Sequence, residues 1–121
     1  MESFTKAAWV ALALVHAAPA AALFVPGLIR RLYQVEPKGD LGVLLTHRGA
    51  LFFAIFAACM LGAFDPLARR ALTIVVSISM VSFLWIYAQA GMPAGALRTI
   101  AQVDLIGLAP LAFVLFAAWR S

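Results

Sequence analysis

The sequence predicts an all-α integral membrane protein, an up-and-down four-helix bundle, and three observations predict it. Of 121 residues, 65% are hydrophobic and 12% charged, about half the charge of an ordinary soluble domain, and the mean hydropathy is +1.02. The apolar residues fall into four runs, at about 7–30, 40–64, 71–91 and 96–119, each long enough to cross a hydrocarbon core of about 30 Å as a helix. Between the runs stand breaker residues and charges, which is how spans are separated. One domain accounts for the chain, and the connections are too short for a soluble catalytic domain.

Span one follows a short polar start, Met1 to Lys6, and ends at Arg30 and Arg31. A secretory signal peptide is the competing reading, since Lys6, an Ala-rich stretch and small residues at 18–22 imitate its three regions. The apolar run continues past that candidate cleavage point to spanning length, so it is read as a span. Pro19 and Pro26 are expected to bend it and to free the carbonyls of Val15 and Ala22. Residues 33–40, with Glu36, Pro37, Lys38 and Gly39, form the first loop, and Asp40 is the expected N-cap of span two.

Within span two, Ala50, Ala54, Ala58 and Gly62 recur every four residues. Such a seam lets another helix, from this chain or a second copy, come close without a hydrophobic drive. Asp65 and Pro66 end the span, and Arg69 with Arg70 mark the membrane surface. Ser79, Ser82 and Gln89 share one face of span three and are expected to point inward. Gly91, Pro93 and Gly95 make the last loop, and Asp104 and Pro110 lie inside span four.

Threading up and down places Lys6, Arg69, Arg70 and Arg120 on one side and Arg30, Arg31, Lys38 and Arg98 on the other, so charge leaves the orientation open. Trp9 and Trp119 fall at one interface, and Tyr33 and Tyr87 toward the other, as aromatic belts do. The net charge of +4 is scattered at segment ends and forms no nucleic-acid patch. Cys59 is alone, in an apolar run, and is expected to be an inert buried thiol.

The chemistry concentrates on Arg48 and Asp104. Each lies about 12 Å along its helix from the same side, and two opposite charges at one depth in hydrocarbon are expected to pair. Two readings follow. In the functional one, His47, Arg48, Tyr87, Gln89, Arg98 and Asp104 surround a polar pocket for the head of a lipid, quinone or other amphiphile. In the architectural one, Arg48 and Asp104 lock two helices in register, and His47 and Gln89 satisfy backbone groups.

His16 is read as a neutral histidine bonded to a carbonyl loosened by Pro19. With His47 entering from the opposite side and no third ligand, no metal site is expected. The serines show no nucleophile arrangement.

The stretch from Leu44 through Thr46-His47-Arg48-Gly49 to Phe52, with Ser79-Met80-Val81-Ser82-Phe83 and Leu97-Arg98 through Asp104, resembles small four-span bacterial inner-membrane proteins that are broadly DoxX-like. The resemblance implies a four-helix membrane bundle and an association with quinone-linked redox enzymes. Three functions are weighed: a non-enzymatic module that binds an amphiphile or serves as accessory subunit of a membrane complex; a small enzyme or redox subunit acting on a quinone or lipid, with His47 as acid or base and Arg48 holding an oxygen; and an oligomeric transporter.

Overall fold

The structure, a computed structural model, describes residues 1–25 and 27–120. Among them the secondary structure is helical throughout: α1 (Glu2–Ala21), α2 (Gly27–Tyr33), α3 (Gly39–Phe64), a 3-10 turn at Pro66–Ala68, α4 (Arg69–Gln89) and α5 (Ala96–Trp119). The segments Glu2–Ala21, Gly39–Phe64, Pro66–Gln89 and Ala96–Trp119 are long and apolar enough to cross a membrane. The protein is a multi-pass membrane protein by that measure, with its apolar outer surface suited to lipid.

Span one departs from expectation, because the apolar run is divided between α1 and the short α2. The helix passes through Pro19 and stops two residues later. The N–H groups of Ala22, Leu23 and Phe24 turn to the carbonyls three residues back, of Pro19, Ala20 and Ala21, and such tightening closes the helix. The bend expected at Pro26 lies outside the described residues. Asp40 sits in the first turn of α3 and Lys38 takes the N-cap, without a side-chain bond.

Helices α1, α3, α4 and α5 stand in a ring in chain order. Contact is most extensive between α1 and α3, substantial for α4 with α5 and α1 with α5, and thin between α3 and α4. Small residues explain the tight side. A Cβ on Gly49 would lie 2.9 Å from the Leu23 backbone nitrogen, and one on Gly62 would lie 2.6 Å from the Trp9 ring; α3 approaches α1 and the turn that follows it this closely only because those positions lack side chains. The core between the helices holds Trp9, Leu12, Cys59, Met80, Leu111 and Val114 with their smaller neighbours.

The expected seam is therefore split. Gly62 is buried against α1, whereas Ala54 is exposed and faces the thinly packed side. Trp9, expected in an interfacial belt, is fully buried, since the gap at Gly62 admits its ring.

One end of the bundle is fastened by the Arg69-Arg70 pair, which does more than mark a surface. Arg69, 8% exposed, donates from Nε to the Gly62 carbonyl (2.6 Å) and from a terminal nitrogen to that of Ala63 (3.1 Å). These are among the last carbonyls of α3, which have no partner inside their own helix. The same guanidinium grips Glu2 of α1 with two parallel bonds of 2.8 and 2.9 Å. Arg70 caps α5 through the Ala118 carbonyl (2.8 Å) and lies over the Trp119 ring, whose indole N–H reaches Thr73 (3.0 Å). Asp65 accepts from the Leu67 N–H (3.1 Å) and holds the connecting turn.

Candidate functional site

The thinly packed side between α3 and α4 is a groove. Phenylalanines and isoleucines meet there in place of glycines, and the helices stand further apart for it. The space is about 710 Å³, and its walls include Leu51, Phe52, Ile55, Ile78, Phe83 and Ile86. Arg48, half-buried, lines it.

Arg48 is held in place chiefly by aromatic rings. Its guanidinium carbon lies 4.7 Å from the Phe52 ring centre, 5.4 Å from that of Phe83 and 5.7 Å from that of Tyr33. Such contacts are worth about 0.5–2 kcal/mol each, more where water is excluded. Its Nε donates to the Tyr33 hydroxyl at 3.1 Å. Among the described residues its two terminal nitrogens make no hydrogen bond or ion pair with protein.

The direct Arg48–Asp104 ion pair is not formed. Among the described residues the ion pairs are Arg30–Glu36 and Arg69–Glu2. Asp104 is buried, 6% exposed, on the core face of α5. The guanidinium instead lies against the rings of Phe52 and Phe83 and donates to the phenol of Tyr33.

The remaining residues of the expected polar pocket are dispersed. His47 is exposed and lines a separate cavity of about 620 Å³ with Leu23, Ile29, Pro37, Gly42 and Val43. Its position one residue from Arg48 turns it about 100° around α3, so it does not join Arg48. Tyr87 stacks near Phe83 at 6.2 Å and donates to the Pro93 carbonyl (2.8 Å), fastening the last loop. Gln89 and Arg98 are exposed. Arg30 and Glu36 pair on the surface, and the bond from Arg30 holds the Glu36 carboxyl below its ordinary range.

Ser79 and Ser82 line the groove rather than the bundle interior, and the Ser82 hydroxyl donates back to the Ser79 carbonyl (3.2 Å). The inward face of α4 is Thr73, Val76 and Met80. His16 is buried against Phe52 (5.7 Å between ring centres), and its Nδ1 bonds the Leu12 carbonyl at 2.8 Å rather than the one Pro19 frees. A carbonyl only accepts, so Nδ1 carries the proton.

Sequence reasoning missed Tyr33 as the partner of Arg48, because the sequence places Tyr33 in an interfacial belt, whereas it ends the short helix α2 and its hydroxyl accepts from Arg48. It missed the Glu2–Arg69 clasp because both residues sit at segment ends, where charge is expected in water. No group of three or more His, Cys, Asp or Glu side chains placed to hold a metal ion occurs among the described residues. The chain matches no protein-family model, no curated protein and no solved structure.

Proposed function

We propose that the protein is a membrane-embedded module that holds an amphiphile in the groove between α3 and α4, with the polar head at Arg48. One observation carries this reading: a half-buried guanidinium lines an apolar groove, and its two terminal nitrogens have no acceptor among the described residues. A charge at that depth is costly unless something meets it. The groove's size lies within the range of about 300–1,000 Å³ typical of small-molecule sites, and it combines an apolar wall with few polar groups, as such sites do.

The acid–base alternative gains no support from the arrangement, because His47 lines a different cavity from Arg48. The test is native mass spectrometry of the protein purified in mild detergent. A retained small molecule is expected in the wild type and absent in Ala54→Phe, which fills the groove, and in Arg48→Met. A spectrum in which no small molecule is retained, or in which both variants keep it, rejects the site. A stoichiometric protein partner in its place would assign the exposed apolar helices to a complex.

A further inference from the structure

We infer that the amphiphile is a single-chain carboxylate, a long-chain fatty acid, with its carboxylate on the terminal nitrogens of Arg48 and its chain along α3 and α4. The inference rests on the groove reading above and names the ligand class for it.

The head follows from what Arg48 still offers. Nε is taken by Tyr33, and the rings of Phe52 and Phe83 lie against the guanidinium. Two terminal nitrogens, with their donors in the guanidinium plane, remain. That fork matches the two oxygens of a carboxylate, which accept two parallel bonds from it. The protein forms this arrangement once already: the terminal nitrogens of Arg69 meet the two oxygens of Glu2 at 2.8 and 2.9 Å.

The chemistry of Arg48 narrows the class. A carboxylate brings one charge and two coplanar oxygens, which match one planar guanidinium and its two remaining nitrogens. A phosphocholine head carries a cation that Arg48 repels. A neutral alcohol offers the two terminal nitrogens one uncharged oxygen in place of two charged ones.

The chain follows from the groove's wall. It runs from Leu45 to Ile55 on α3 and from Val75 to Ile86 on α4, about 15 Å on each at 1.5 Å per residue, and is apolar apart from Arg48, Ser79 and Ser82. Beyond Arg48 the wall continues to Ile55 on α3 and from Phe83 to Val75 on α4, about 10–12 Å. With its head at Arg48, the first part of an acyl chain therefore lies in the groove and the rest passes into the surrounding lipid. Along this length Ser82 spends its hydroxyl on its own helix.

The experiment places the purified full chain in nanodiscs of phosphatidylcholine and measures competition against radiolabelled hexadecanoic acid. The competitors are hexadecanol, lysophosphatidylcholine of the same chain length, hexadecyl phosphate and phosphatidylglycerol. Hexadecanoic acid is expected to bind about tenfold or more tightly than hexadecanol, since hydrogen bonds between charged partners exceed one such factor. Arg48→Gln is expected to bring acid and alcohol to equal affinity, and Arg48→Lys to keep only part of the preference, because an ammonium has no fork. The lysine variant also guards against a glutamine variant that fails to fold.

Equal binding of acid and alcohol by the wild type overturns the carboxylate while leaving the groove in place. So does tighter binding of hexadecyl phosphate or phosphatidylglycerol. Failure of every chain compound to bind, or unchanged binding in Ala54→Phe, overturns the groove itself and the inference with it.

Discussion

Arg69 and Arg48 are two guanidiniums in one small bundle, about 20 Å apart along α3 by the fourteen residues from Arg48 to Gly62, where Arg69 docks, and their surroundings differ in kind. Arg69 makes four hydrogen bonds, to two carbonyls at the end of α3 and to both oxygens of Glu2. Arg48 makes one, to a phenol, and leans on three rings. The first lies where a helix ends and unpaired carbonyls collect, and the dipole of that helix favours a cation there. The second lies inside a helix, where every carbonyl is already used by the turn above. A cation is thus structural where the backbone can satisfy it, and open to other partners where only side chains can.

The largest test of this contrast is Arg69→Met. It strips two buried carbonyls of their donor and opens the link from α1 to the α3–α4 turn, and is expected to cost about 2 kcal/mol or more for the carbonyls alone, read as thermal unfolding in a fixed detergent. If the variant melts with the wild type, the clasp contributes nothing and the two ends are not different in the way described.

Next in size is Gly62→Ala, whose Cβ would press on the Trp9 ring at 2.6 Å. Overpacking of this kind costs about 1–3 kcal/mol. Gly107→Ala would meet the end of the flexible Met80 side chain at 2.7 Å and is expected to cost less. The order of the two melting temperatures checks that the α1–α3 contact is the rigid one.

Arg48→Met should change stability by less than about 1.5 kcal/mol, because exchanging a poorly paired buried charge for an apolar chain is often neutral. Combining it with Asp104→Leu asks whether the two charges act on one another at all: non-additive melting shifts would reveal coupling. A single Arg48→Met cost equal to that of Arg69→Met would erase the distinction between the two arginines.

The smallest effect belongs to the exposed Arg30–Glu36 pair. The Glu36 carboxyl is held below its ordinary range by the hydrogen bond from Arg30, with the Arg30 charge adding to it and desolvation opposing it. A carboxyl depressed in the fold stabilises above its unfolded pKa, and the contribution fades as pH falls through the folded value. A melting difference between wild type and Glu36→Gln is therefore expected to be slight at neutral pH and to close in acid.

Much of the fold was legible because helix length and apolar runs are one-dimensional properties. Four spans, the breaker clusters at the loops and the burial of Cys59 and Asp104 follow from where residues fall along the chain. The site was legible only in part. Arg48 was marked by its chemistry alone, since any guanidinium in an apolar run needs a partner. The partner was misassigned to Asp104, because depth fixes one coordinate of a side chain and the angle around the helix fixes another. His47 and Arg48 share a depth and still line different cavities.

The stripe of Ser79 and Ser82 was seen as a stripe but directed inward, because the sequence contains no statement of which helix pair packs tightly. That depends on Gly62 meeting α1 and Gly49 the turn after it, while contact between α3 and α4 stays thin.

The sequence by itself determined that this chain crosses a membrane as four helices and carries polar groups it must account for, because the cost of exposing backbone and charge to hydrocarbon acts on each segment separately. Only the tertiary structure decided which of those groups the protein satisfies with its own atoms. Satisfaction requires donor and acceptor within about 3 Å, and that distance is set by how helices rotate and pack against one another.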